Sequence, residues 1–176
     1  MRFPFLLSIA STALTALAYA QDASEPKEEG VTVVKATYLI TGLHCPPCTK
    51  TVESSLRQID GVKSVKVDWK TKNAKIEFDE AVLPAQKLAL LIADTPHMMG
   101  GNLHYDGWLA LKASEIMDDA SAERAKEALS KLEGVKRVVA YPKKHSLGVQ
   151  FTDDGEVTSH QLIEALTAAG FTGENY

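Results

Sequence analysis

Apolar residues recur along this chain with two periods that take turns. Lys35 to Gly42 (KATYLITG) is β-branched and aromatic and predicts a strand. Val52, Leu56 and Ile59 follow at i, i+4, i+7, which is one face of a helix. Gly61 stands where that helix needs a left-handed cap. Val62 to Trp69 (VKSVKVDW) and Lys75 to Glu80 (KIEFDE) return to strand character on either side of the turn residues Thr71 to Ala74. Leu83 to Pro96 (LPAQKLALLIADTP) predicts a second helix, with Pro84 suited to its first turn and Pro96 ending it. Gly101 to Gly107 (GNLHYDG) then supplies a short last strand. The order β-α-β-β-α-β is the split β-α-β, ferredoxin-like sandwich, in which four antiparallel strands carry two helices on one face.

The same pattern then repeats. Ile59 to Val67 (IDGVKSVKV) returns as Leu132 to Ala140 (LEGVKRVVA), a shift of 73 residues measured from Gly61 to Gly134. That shift carries Val52, Leu56 and Ile59 onto Ala125, Leu129 and Leu132, and Ile76 and Phe78 onto Val149 and Phe151. With one inserted residue, Leu88 and Ile92 fall on Leu162 and Leu166. A helix face, a turn glycine and a strand face do not recur together by chance. The expectation is an α+β protein of two tandem ferredoxin-like βαββαβ units, at 33–106 and 107–176, each large enough for a core of its own. The second opens with Trp108 to Ala113 (WLALKA), with Ser121 as a cap for its first helix and Thr158 with Gln161 as a capping box for its second. The link between the units is nearly absent, so they should touch and move little against each other. Trp108 is a candidate for that contact, and equally for the core.

The first residues change the picture of where the protein works. Arg2, the apolar run Phe3 to Ala18 and the small residues Ala18 and Ala20 read as a signal peptide over 1–20, with cleavage after Ala20 and a retained membrane anchor as the competing expectation. Residues 21–32, beginning with the polar stretch QDASEPKEEG, form a flexible linker. No long apolar run follows, so the mature form should not span a membrane and should be exported, to a periplasm or to the outside. The 176 residues are 45% hydrophobic and 24% charged, with net charge −4 and pI near 5.7. That balance is globular and argues against a nucleic-acid partner.

Both cysteines lie three apart in Thr41 to Leu56 (TGLHCPPCTKTVESSL) and lead into the first helix. Such a pair can be a structural disulfide, a redox dithiol or two soft metal ligands. Two thiolates suit Cu(I) or Hg(II), which accept two soft donors in near-linear geometry. Zn(II) usually takes four ligands, and there is no second cysteine pair. Cys48 at a helix start gains thiolate stabilisation from the helix N-terminus.

With Gly42 to Cys48 (GLHCPPC), Gly61 to Asp68 (GVKSVKVD) and Lys75 to Phe78 (KIEF), the chain resembles the heavy-metal-associated domain family over nearly all of its mature length. The resemblance implies a non-enzymatic protein. It would hold a soft metal ion through Cys45 and Cys48, as copper chaperones and the periplasmic mercury-binding protein do, and would pass it to or take it from a partner protein by ligand exchange. The chain departs from the family at three places. His44 stands where Met is common before the first cysteine, either as a third ligand or as a surface residue. Pro46 and Pro47 stiffen the loop, and Cys-Pro-Pro-Cys also occurs in thioredoxin-like proteins, which keeps a thiol-disulfide oxidoreductase as the alternative. An interaction module with an inert disulfide is the third reading. In the second unit the same shift puts Asp118 for Cys45 and Ser121 for Cys48, leaving hard oxygens and Met117. In the fold that the resemblance implies, the loop after the second helix lies beside the cysteines, which makes His97, Met98 and Met99 further candidate ligands. Core packing of the two methionines, with a solvated His97, is the competing expectation. His104 is expected to be structural within a strand, and His145 and His160 to be surface residues.

Overall fold

The computed structural model describes residues 32–176. The expected signal peptide over 1–20 and the linker up to residue 31 lie outside the described residues. The elements run β1 (Val33–Thr41), α1 (Pro46–Leu56), β2 (Val62–Asp68), β3 (Asn73–Asp79), α2 (Ala85–Ala93), β4 (Asp106–Ala113), α3 (Asp119–Ser130), β5 (Val135–Tyr141), β6 (Ser146–Phe151), α4 (Ser159–Ala168) and β7 (Gly173–Asn175). This is the βαββαβ order twice over, with one economy. The strands expected at 101–107 and 108–113 are a single strand, β4, which begins at Asp106. It pairs with β1 of the first unit through Asp106 to Ala110 and with β6 of the second through Leu109 to Lys112. The expected boundary after residue 106 therefore falls at the start of a strand that serves both units. Two ferredoxin-like sheets are thereby joined into one, in the order β2-β3-β1-β4-β6-β5, with β7 added to the far end of β4. Residues 101–104 are not a strand; Asn102, Leu103 and His104 are exposed instead.

Strand alternation sorts the two faces. Ala36, Tyr38 and Ile40 of β1, Leu109 and Leu111 of β4, and Val149 of β6 are buried against the helices. Their neighbours Lys35, Trp108, Ala110 and Lys112 point to the open side, which no helix of the described residues covers. The helices contribute the residues their periodicity promised: Val52 and Leu56 from α1, Leu88 and Ile92 from α2, Ala125 and Leu129 from α3, Leu162 and Leu166 from α4. All belong to one continuous core. Trp108 is half-buried on the open face, opposite Leu39 of the first unit and under the guanidinium of Arg137 of the second, 5.8 Å from its ring centre.

Polar groups buried across the seam fix the two units to each other. Gln86 of α2 is fully buried; its side-chain amide donates to the carbonyls of Thr152 (2.9 Å) and Asp154 (2.8 Å), and its oxygen accepts from the Val157 N–H (3.0 Å). The buried carboxylate of Glu80 accepts from the Ser159 N–H (2.5 Å) and hydroxyl (3.0 Å), capping α4 from the other unit. Tyr38 donates to the Ala85 carbonyl (3.0 Å), and its hydroxyl is held well above the usual phenol range by burial and then by the charge of Glu80.

Three residues expected at helix ends are placed differently. Gly61, at φ +92°, turns the chain into β2 rather than closing α1, whose C-cap is Arg57. Pro84 is the N-cap of α2 rather than its first helical residue. Ser121 is the third residue of α3, whose N-cap is Asp118.

Candidate metal-binding loop

The site is built from the end of β1. Leu43 is buried and anchors the loop from below. Gly42, at φ +82°, lets the backbone pass so close to the α2–β4 loop that a Cβ there would lie 2.2 Å from the His104 carbonyl oxygen. Cys45 then takes an extended conformation as the N-cap of α1, and Pro46 and Pro47 fill the first two helical positions, where a missing N–H costs nothing. Cys48 is the third, and its N–H bonds back to the Cys45 carbonyl (3.0 Å). The spacing therefore puts both sulfurs at one helix N-terminus, with Cys45 half-buried and Cys48 fully buried. The two are joined as a disulfide, Cα to Cα 5.4 Å. Among the described residues no group of three or more His, Cys, Asp or Glu converges to hold a metal.

The other candidate ligands divide. His44 is exposed, with its ring 5.6 Å from that of His97. His97 is half-buried and hydrogen-bonded at both ring nitrogens. Its Nε2 donates to the Gly42 carbonyl (3.0 Å), and its Nδ1 accepts from the Met99 N–H (3.2 Å). A carbonyl can only accept, so these bonds specify the Nε2–H tautomer and occupy the lone pair on Nδ1. The ring also lies 4.6 Å from Tyr105, which is fully buried with a hydroxyl that has no partner among the described residues. His97 thus braces the cysteine loop from behind. Met98 and Met99 are 57% and 61% exposed, against the expectation of core packing. Met98 lines a shallow hollow over α1 with Pro47, Lys50 and Thr51, on the outer side of the helix. Gly42 and Tyr105 are the site residues that sequence reasoning passed over as such; no local signal distinguishes Tyr105 from a strand aromatic.

The second unit shows what became of its own loop. Asp118 is the N-cap of α3 and Ser121 its third residue, the positions of Cys45 and Cys48. Asp118 Oδ1 accepts from the Ser121 N–H (2.7 Å) and hydroxyl (2.6 Å), and Ser121 Oγ accepts from the Met117 and Asp118 N–H groups (both 3.1 Å). Those bonds hold the Asp118 carboxyl below the usual carboxylate range. A hydrogen-bonded capping box closes this loop where a sulfur pair closes the first. Met117 is exposed; His145, also exposed, bonds through Nδ1 to the Ile116 carbonyl (2.9 Å); His160 pairs with Glu164.

Comparison with known proteins places this geometry. The family model for the heavy-metal-associated domain matches residues 37–96, the segment that holds both cysteines. The copper chaperone CopZ of Enterococcus hirae is 34% identical over 59 residues, 34% of this chain and 86% of that chaperone. The chain belongs to the heavy-metal-associated domain family. The periplasmic component of the mercuric transport protein of Pseudomonas aeruginosa is 34% identical over 58 residues, 33% of this chain and 64% of that protein. A copper-transporting ATPase of Oryza sativa subsp. japonica is 25% identical over 147 residues, 82% of this chain; the chain spans 14% of that ATPase's length. Among solved structures, the water-soluble region of the P-type ATPase CopA from Bacillus subtilis covers 81% of this chain and 91% of its own at 18% identity and a TM-score of 0.40. Oxidized MerP from Ralstonia metallidurans CH34 covers 44% of this chain and 96% of its own at 28% identity and a TM-score of 0.37. No helix among the described residues is long and apolar enough to cross a membrane.

Proposed function

We propose that this heavy-metal-associated protein is an exported, non-enzymatic carrier that captures, buffers or delivers one soft cation, with Cu(I) as the best fit, through Cys45 and Cys48. The observation that supports it most is the placement of the chain's only two cysteines at the N-cap and third position of α1, close enough to share one bond partner. Reduction of the disulfide by two electrons and two protons gives two thiols; a soft cation then displaces the two protons and bridges the sulfurs. The positive end of α1 favours the thiolates, and the half-buried Cys45 leaves one side open for an incoming ligand from a donor or acceptor protein. Hg(II) fits the same pair, whereas Zn(II) would lack two of its usual four ligands. The copper and mercury proteins among the relatives favour the same class of cargo.

The experiment is a titration of the fully reduced protein with Cu(I) against a competing chelator. One tight ion per chain is expected, and none for Cys45→Ser, Cys48→Ser or the oxidised protein. Tight binding by the Cys45→Ser, Cys48→Ser double variant would end this reading.

One observation favours a second reading. The disulfide pairs a half-buried Cys45 with a buried Cys48, the asymmetry expected of an attacking and a resolving thiol. A thiol-disulfide oxidoreductase would turn over a disulfide substrate in many cycles with a thiol reductant; the carrier would not. A disulfide that resists reduction in the folded protein would instead mark an interaction module.

A further inference from the structure

We propose that the open face of the sheet is a docking surface for a carboxylate-rich peptide segment of a partner protein. This does not rest on the metal reading. Two hollows, of about 420 and 530 Å³, lie side by side on that face and share Thr37 and Tyr176 in their walls. Together they form a trough that crosses the seam between the units. The first is rimmed by Lys35, Lys66, Lys75 and Lys112, with Glu77 as its one acidic residue. The second adds Lys144 and the rings of Trp108 and Tyr141, and no acidic residue.

Among the residues lining the trough the charges do not balance. Glu77 is committed to Lys35 at 2.7 Å, and Glu174 approaches Lys112 at 3.8 Å. Asp68, at the end of β2, accepts the Thr71 N–H. Lys66 and Lys75 stand directly opposite each other on β2 and β3, both exposed, and neither has an ion pair among the described residues. Like charges facing across a strand pair weaken the pair, so the sheet tolerates a repulsion here that an anion would relieve. The rest of the chain is acidic enough to leave a net charge of −4, which makes this positive strip a local feature rather than part of a basic surface. That overall charge opposes a long polyphosphate, whose field extends past the strip. It opposes a short acidic peptide far less, because salt screens charges beyond about 10 Å. Trp108 and Tyr141 along the walls supply a flat, partly apolar surface for an extended segment.

The test is fluorescence anisotropy of a labelled short peptide of alternating glutamate and serine against the full chain. Binding that weakens with added salt is expected. Lys66→Glu and Lys75→Glu should each weaken it by about ten-fold, since each places a like charge against the peptide. Each change also turns a repelling cross-strand pair into an attracting one, so the fold is safe, and Cu(I) stoichiometry at the distant cysteine loop should not change. Removing residues 21–30 should leave the affinity as it was. Absence of binding, or binding indifferent to both reversals, would overturn the proposal. So would tighter binding of a short single-stranded RNA. If the peptide binds only after residues 21–30 are removed, the occupant is this chain's own acidic segment and partner docking is likewise overturned.

Discussion

At the scale of single residues, the cysteine loop owes its shape to a neighbour that is not a sulfur. His97 spends one ring nitrogen on the Gly42 carbonyl and the other on the Met99 N–H, so it holds the loop without an open lone pair for a metal. A residue that orients a metal site from behind typically changes affinity ten- to a hundred-fold. His97→Ala should therefore weaken Cu(I) binding by about ten-fold while Cys45 and Cys48 still hold one ion. His97→Gln tells support from ligation, because a glutamine amide can donate to the Gly42 carbonyl but is a poor soft-metal ligand. Recovery of affinity in the Gln variant is expected; a Gln variant as weak as the Ala variant would make His97 a ligand. Met98→Ala and Met99→Ala should leave the melting temperature unchanged, since both side chains are exposed, and a drop of several degrees in either would contradict that placement.

At the scale of elements, α1 and α3 are the same helix closed in two ways. The capping box of α3 replaces with hydrogen bonds what α1 does with sulfur, and α1 has no side-chain cap hydrogen bond at all. Ser121→Ala removes the acceptor for two backbone N–H groups and should cost about 1 kcal/mol in denaturant unfolding. The pH sign follows from Asp118. Its carboxyl is held low in the folded state, so its contribution is present above the unfolded carboxylate range and is lost as pH falls through the lower folded value. The penalty of Ser121→Ala should accordingly shrink in acid; a constant penalty would mean that Asp118 is not its partner. The repeat by 73 residues made this comparison legible from sequence alone, as did the helix faces and the Thr158–Gln161 box. The merging of two expected strands into β4 was not legible. Asp106 to Ala113 alternates like any strand, and pairing on both edges depends on partners far away in the chain. The same limit applies to the loop. Cys-x-x-Cys announced itself by spacing, whereas sequence cannot show that both nitrogens of His97 are already hydrogen-bonded.

At the scale of the whole molecule, the second unit lacks the cysteine pair and is tied to the first by polar bonds across the seam. Gln86 and Glu80 reach out of the first unit to bond backbone groups at 152–159 in the second, those of Val157 and Ser159 buried, and the shared β4 leaves neither sheet complete by itself. The fit is close as well as polar. Gly155, at φ +128°, has no room for a side chain, because a Cβ there would sit 2.7 Å from the Gln86 amide oxygen. Removing one partner from such a set strands the others in a dry seam, at about 1–3 kcal/mol for each group left unpaired. Gln86→Ala and Glu80→Ala should thus each lower unfolding stability by about 2–4 kcal/mol, more than a typical surface change. What distinguishes a seam from two independent domains is how that loss is distributed. If the units fold as one, hydrogen exchange of β3 amides and of β6 amides should accelerate together in either variant, and thermal unfolding should remain a single transition. Faster exchange confined to β6 and α4, with β3 protected as before, would mean that the first unit stands alone and that β4 is borrowed rather than shared.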